Sequence, residues 1–254
     1  MSQDSKSADG LQAVLVLVAT IGMIAFYGLA AAGYVNDVMP AAIAAKYVTV
    51  VTPAAYASTI WSLIFLGMIA FSIYQLLPSK MTRFRNIRSL YILSCVLNCG
   101  WIFFWQREMM GACLVLIFAL LGTLLLINVK LNMTETIRES VFTKAPFGIY
   151  FGWVTAAAIV NFVIFLMYIG AKLSPTGWNI FGSLLMVIAM VLALIVRVKL
   201  RNFLYPLAIA WALTGIAVRQ SGNTMVILVA AICVVVCLVL SISFVMDLPS
   251  SSHE

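Results

Sequence analysis

Charge is what this chain has least of: only 9% of its 254 residues are Asp, Glu, Lys or Arg, against roughly a quarter in soluble domains. A water-facing surface cannot be assembled from so few, and with 64% of residues hydrophobic the fold must use lipid as its solvent. Histidine is reduced to one, His253 in the C-terminal tail. The 8 acidic residues avoid the middle of every apolar run: Asp37, Glu108, Glu135, Glu139 and Asp247 fall in loops or at run ends. Proton relays and gating-charge mechanisms therefore lack their usual residues. Catalytic-serine, P-loop and zinc-protease motifs are missing too, so an enzyme reading has no nucleophile. Arg107 and Glu108, adjacent in a hairpin, read as a turn ion pair rather than an acid–base couple.

The five cysteines, Cys95, Cys99, Cys113, Cys233 and Cys237, lie mostly inside apolar runs and lack the spacing of a secreted disulfide framework. Cys95 with Cys99 and Cys233 with Cys237 stand one helical turn apart, which suits a soft metal or, more commonly, small hydrophobic packing. No metal and no obligatory cofactor is expected.

What is present is a series of apolar runs about twenty residues long, the length of a membrane-spanning helix. Backbone groups in lipid must pair within their own segment, so these runs predict an all-α integral membrane protein. Eight spans are expected: Leu11 to Gly33, Pro53 to Leu77, Arg88 to Trp105, Met109 to Val129, Phe147 to Ile169, Trp178 to Val196, Phe203 to Val218 and Met225 to Val245. The first is longer than a signal-peptide core, although Ala30-Ala31-Ala32 has the small residues of a cleavage site. The seventh is short and contains Pro206, which leaves a re-entrant segment open.

The net charge of +7 is spread over short loops instead of one solvated face, which argues against a nucleic-acid partner. Its meaning is topological. Lys6, Lys80, Arg83, Arg85, Arg88, Lys130, Arg138, Lys144, Arg197, Lys199 and Arg201 fall on one side, and only Lys46, Arg107, Lys172 and Arg219 on the other. The positive-inside rule places both termini in the cytoplasm, in an inner or plasma membrane. The one long outer connection, Tyr34 to Thr52, is placed to cap an outward-facing pocket.

Three spans carry polar and aromatic residues at alternating steps of three and four, the spacing of one helix face. They are Ser58, Trp61, Phe65, Met68, Ser72 and Gln75; Tyr91, Ser94, Asn98, Trp101 and Trp105; and Tyr150, Trp153, Ala157, Asn161 and Tyr168. A lipid-facing stripe has no use for an amide, so Asn98 and Asn161 should face inward and bring their Trp neighbours with them. Threading puts Trp61, Asn98, Trp101 and Asn161 in the outer half of the bilayer and Trp153 nearer the inner side. Interhelical hydrogen bonding by the two amides and simple packing by the rings is the competing interpretation, with belt placement at the interface for Trp105 and Trp178. Small residues at every fourth position, Gly148, Gly152 and Ala156 and then Cys233, Cys237 and Ser241, predict close helix contacts.

The run Leu97-Asn98-Cys99-Gly100-Trp101-Ile102-Phe103-Phe104, with Gly152-Trp153-Val154 and Asn161 eight residues after Trp153, resembles the tryptophan-rich sensory protein, or translocator protein, family. These are five-helix membrane proteins, also called peripheral-type benzodiazepine receptors. The resemblance covers roughly Leu11 to Ile169, including Pro53 and Trp61 at the family's spacing. Ala55 and Ser58 stand where the pattern has Trp and Pro, and Ala57 replaces an aromatic. The family binds porphyrins and sterol-like or synthetic aromatic ligands; its light-driven porphyrin breakdown is not carried over where the loop Trp is absent. The resemblance implies a five-helix unit, residues 1–170, followed by a three-helix extension, residues 171–254.

The expected function is a membrane receptor or sensor for a planar hydrophobic molecule, tetrapyrrole- or sterol-like. Asn98 and Asn161 would orient its polar edges, and Trp61, Phe65, Trp101 and Trp153 would supply stacking surface. Two rivals stay open: a secondary transporter whose helices unwind at Pro53, Pro146 or Pro206, and an accessory subunit docked through its small-residue faces. The expected partners are the bilayer, the ligand, and a second copy or a membrane complex.

Overall fold

The computed structural model describes residues 3–133 and 136–243, with side chains from Asp9 onward. Glu135, Asp247, His253 and the Lys6 side chain lie outside the described residues. Ten α-helices follow in order: α1 Gln3–Ala31, α2 Pro40–Lys46, α3 Ile60–Tyr74, α4 Arg85–Gln106, α5 Met110–Lys130, α6 Ile137–Phe142, α7 Lys144–Tyr168, α8 Pro175–Leu200, α9 Leu204–Arg219 and α10 Thr224–Ile242. One-turn 3-10 helices precede α3, Ala55–Thr59, and follow it, Pro78–Lys80. The chain is an all-α, multi-pass integral membrane protein. Among the described residues, seven segments are long and apolar enough to cross a bilayer, and α9 is a shorter apolar helix.

Proline explains several boundaries. Pro40 and Pro175 open α2 and α8, where the missing N–H costs nothing. Pro206 lies in the first turn of α9 for the same reason, and so starts that helix instead of interrupting it. Pro53 precedes an irregular turn, so the second span begins its regular α-helix only at Ile60.

Helices α1, α4, α5, α7 and α3 pack in that order into a closed ring, α3 returning to α1. Buried residues of α1, Ala13, Val16, Thr20, Met23, Tyr27 and Ala30, repeat at steps of three and four and make that helix a stave of the ring. Cleavage after Ala32 would open it. Helices α8, α9 and α10 pack on one another, and α9 docks on α7 and on the turn ahead of α3.

The small-residue row of α7 is the seat of α9. A Cβ added at Gly152 would lie 2.7 Å from the Tyr205 carbonyl oxygen and 2.8 Å from Ala208 Cβ, so a larger residue would push the helices apart. Cys233 and Cys237 of the second row are buried in the same core.

At 16 residues, α9 is about 24 Å long, less than the ~30 Å hydrocarbon thickness. It nevertheless reaches both ends of the bundle. Asn202, just ahead of it, bonds to the Lys144 carbonyl at the start of α7, while the Gly215 carbonyl near its far end accepts from Ala54 N–H at 2.8 Å. Since the end of α3 meets the start of α7, with Phe71 and Phe147 rings 4.9 Å apart, Ala54 and Lys144 stand at opposite ends. The short helix therefore runs from one end of the bundle to the other.

Candidate ligand site

Inside the ring, toward the end covered by α2, four aromatic side chains converge from three helices. Tyr27 of α1 lies 5.1 Å from the ring of Trp61 and 5.3 Å from that of Phe65. Trp61 lies 5.5 Å from Phe65, its neighbour one turn along α3, and 6.0 Å from Tyr150 of α7. The tilted and edge-on angles are those that aromatic quadrupoles favour. The Tyr27 hydroxyl donates to Asn98 Oδ1 at 2.8 Å, and Asn98, on α4, is 1% exposed. Tyr150 is fully buried and its hydroxyl has no hydrogen-bond partner among the described residues.

A second group stands closer to α2. Trp101 donates its indole N–H to Asn161 Oδ1 at 3.1 Å, joining α4 to α7, while Asn161 Nδ2 donates back along its own helix to the Ala157 carbonyl at 2.9 Å. Trp105 stacks on Trp101 with ring centroids 5.4 Å apart and donates to the Pro40 carbonyl at 3.1 Å. It is 5% exposed, so it is a roof residue beneath α2 and not a member of an interfacial belt. Trp178 packs edge-on against Phe181, one turn along α8.

Of the six candidate residues, Trp61, Phe65 and Asn98 thus meet through Tyr27, and Trp101 pairs directly with Asn161. Trp153 is buried in the same core but makes no ring contact or hydrogen bond with the other five. Tyr27 is the linking residue, and the sequence reading does not single it out. Its signal was available: Thr20 and Tyr27 are hydroxyl-bearing members of the buried α1 stripe.

Two polar layers lie below. Thr20 Oγ1 is 2.5 Å from Ser72 Oγ and 2.6 Å from the Tyr91 hydroxyl. Deeper still, the guanidinium of Arg88, 0% exposed, donates to Gln75 Oε1, to the Asp9 carbonyl and to the Met81 carbonyl, while Arg85 forms an ion pair with Asp9. Arg88, one of the basic residues that mark this end of the chain, is also a structural plug, because each of its three nitrogens finds an acceptor at the end of the ring.

The opposite end is closed by the 34–47 connection. Gln106 donates to the Ala30 carbonyl at 3.2 Å and to that of Val38. Arg107 and Glu108 do not pair with each other as expected. Arg107 Nε donates to Asn36 Oδ1 at 3.0 Å, and Glu108 Oε2 accepts from Lys46 and from the Tyr47 hydroxyl, both at 2.5 Å. Glu108 adopts φ of 54°, which turns successive side chains apart. Its hydrogen bonds from Lys46 and Tyr47 hold the Glu108 carboxyl below its usual range, and the same contact pushes the Tyr47 phenol up to about 12.

The chain matches the model of the TSPO-like protein family over residues 13–244. It belongs to that family. No curated protein and no solved structure matches it. The match to the TSPO-like family runs from α1 beyond the end of α10, so the last three helices lie inside it.

Two cavities of this TSPO-like protein lie away from the aromatic cluster. One, about 20 Å³, sits among α7, α8 and α9 and is lined by apolar residues such as Val160, Met186 and Ile209; that is room for about one water, with no polar group to hold it. The other, about 140 Å³, opens between the start of α4 and the end of α5. Among the described residues, no three His, Cys, Asp or Glu side chains converge as a metal site.

Proposed function

We propose that this TSPO-like protein is a membrane receptor or sensor that binds a planar hydrophobic molecule, tetrapyrrole-like or sterol-like, inside the five-helix ring. The observation that carries this reading is the aromatic cluster of Tyr27, Trp61, Phe65 and Tyr150 built around the Asn98 amide. Flat rings offer a flat ligand stacking surface, and a buried amide offers its polar edge an anchor. Without ligand, Tyr27 packs against both Trp61 and Phe65 and occupies Asn98. A ligand with its own donor takes over that amide, and Tyr27 turns aside. The unpartnered Tyr150 hydroxyl favours the exchange, since leaving such a group unsatisfied costs about 1–3 kcal/mol. Trp101 and Asn161 supply a second amide and ring above it, and Trp153 supports α7 from the core.

Binding is favoured over transport by the closures at both ends, Asp9 with Arg85 and Arg88 below and Gln106 with the 34–47 connection above. We place the basic end, and with it both termini, in the cytoplasm, and treat the ring as the ligand unit with α8 to α10 as its support.

Titration of the purified protein with protoporphyrin, followed by Trp fluorescence, tests this. Saturable quenching that weakens at least tenfold in Trp61→Ala and Trp101→Ala is expected. Quenching that never saturates, or is unchanged in both variants, removes the basis of the proposal.

A further inference from the structure

Helix α3 carries Trp61 and Phe65, and its two ends are held by different parts of the molecule. The end at Tyr74 belongs to the ring: Ser72 Oγ lies 2.5 Å from Thr20 Oγ1, Gln75 Nε2 donates to the Ala13 carbonyl at 2.8 Å, and the Phe71 and Phe147 rings are 4.9 Å apart. The other end begins at Ile60, so Trp61 is the second residue of the regular helix, and its place depends on the irregular segment ahead of it, residues 49–59. Among the described residues, every hydrogen bond that this segment makes outside itself and α3 goes to α9 or to the residue just after it. Ala54 N–H donates to the Gly215 carbonyl at 2.8 Å, the Trp211 indole N–H donates to the Ala57 carbonyl at 2.9 Å, and Gln220 Nε2 donates to the Thr49 carbonyl at 3.3 Å.

Packing follows the same pattern. The Tyr56 ring meets Trp211 edge-on with centroids 5.5 Å apart, and a Cβ added at Gly215 would lie 2.9 Å from Ala57 Cβ and 3.0 Å from Pro53 Cβ. Trp211 and Gly215 stand one turn apart on α9, so one face of that helix seats the whole turn from Pro53 to Ala57. Non-helical backbone at membrane depth is tolerated where protein satisfies it, and here α9 is the protein that does so. Trp61 meets Tyr27 and Tyr150 through tilted and edge-on ring contacts. Such contacts accept a range of angles, so the helix start decides where the indole lies.

With the aromatic cluster read as the ligand site, we propose that Trp211 is a positioning residue for it: through the Ala57 carbonyl and the Tyr56 ring, Trp211 sets the start of α3 and so the place of Trp61 against Tyr27 and Tyr150. The last three helices thereby shape a site that they do not touch. Coupling of this kind is reciprocal: a ligand bound against Trp61 steadies the joint with α9, and exchange of the Ala54 amide hydrogen slows.

The test uses the full chain in detergent micelles, labelled with 5-fluorotryptophan and read by fluorine NMR, the Trp61 resonance being assigned by its loss in Trp61→Phe. A cross-helix hydrogen bond is worth about threefold, and an edge-on aromatic pair about threefold again. Trp211→Phe, which keeps a ring but loses the N–H, should shift the Trp61 resonance and weaken protoporphyrin binding about threefold; Trp211→Ala should weaken it about tenfold. Gly215→Ala, which forces the turn away from α9 at a neighbouring point, should move the same resonance. Trp178→Phe, in the last three helices but with its ring packed on Phe181, should leave both readouts unchanged. A lower melting midpoint in Trp211→Ala and Gly215→Ala with the Trp61 resonance unmoved would mean that α9 only stabilises the fold, and would overturn the proposal. A shifted resonance with unchanged affinity would overturn it too, as would an equal shift in Trp178→Phe. Failure of protoporphyrin to bind the wild type would instead remove the ligand reading, and the resonance would then decide alone whether Trp211 positions Trp61.

Discussion

Asn202 and Gly148 allow the joint between the ring and the last three helices to be measured. Asn202 is 2% exposed and uses its whole amide: Nδ2 donates to Asn128 Oδ1 at 3.1 Å and to the Lys144 carbonyl at 2.8 Å, and Oδ1 accepts from Leu204 N–H at 3.1 Å and Tyr205 N–H at 3.3 Å. Cross-helix bonds in a membrane protein average about 0.6 kcal/mol each, and a helix-capping acceptor is worth about 1 kcal/mol. Asn202→Ala should therefore cost about 2 kcal/mol. A methyl group at Gly148 would overlap the Asn202 amide, so Gly148→Ala forces Asn202 out of its bonds and should cost a similar amount. The two losses are one loss. In the double variant the methyl enters the space that Asn202 vacated, and the better helix propensity of Ala, about 1 kcal/mol over Gly, offsets part of the cost. A double-mutant cycle by thermal or denaturant unfolding in detergent should show a coupling of about 2 kcal/mol. Additivity within about 0.5 kcal/mol would refute the reasoning.

Tyr27→Phe removes the hydroxyl bonded to Asn98 Oδ1 and should cost about 0.6–1.7 kcal/mol, read as a lower melting midpoint; no change would mean that Asn98 finds another donor. Arg88→Met takes away three hydrogen bonds and leaves the buried Gln75 amide oxygen without its donor at the basic end, a loss of about 1–3 kcal/mol. Hydrogen exchange should then rise first at residues 9–13 and 75–88, and uniform protection would contradict the plug. Glu108 has a lowered folded pKa, held by Lys46 and Tyr47. Its contribution is present above the unfolded value near 4.5 and is lost as pH falls through the folded value. Proteolysis of the 34–47 connection should therefore increase only on acidification below about pH 4.5 in the wild type, and should be fast at every pH in Glu108→Gln.

Run length alone made the spans legible, because a twenty-residue apolar segment has one backbone solution in lipid. The stripes of α3, α4 and α7 were legible in their middles for the same local reason, Met68, Ser72 and Gln75 all being 0% exposed, while Ser58 and Tyr168 at their ends are exposed. What could not be read was pairing across the chain. Tyr27 and Asn98 are 71 positions apart, and no periodicity within α1 states which helix its tyrosine meets. Arg88 looked topological because sequence shows its charge but not the carbonyls of Asp9 and Met81 that collect it. The short α2 disappeared into an Ala-rich connection, since its 7 residues are too few for a periodic signal. The crossing of α9 was hidden by Pro206, whose position in the first turn becomes harmless only once the helix start is known.

The central claim is that a planar hydrophobic ligand sits among Tyr27, Trp61, Phe65 and Tyr150 inside the ring. Photolabelling with an aromatic diazirine probe, followed by mass-spectrometric mapping of the adducts, tests it most directly. The account predicts saturable labelling at those four residues or their immediate neighbours, suppressed by protoporphyrin. Labelling confined to lipid-facing residues such as Leu66 and Val96, 63% and 62% exposed, rising without saturation and indifferent to protoporphyrin, would contradict it.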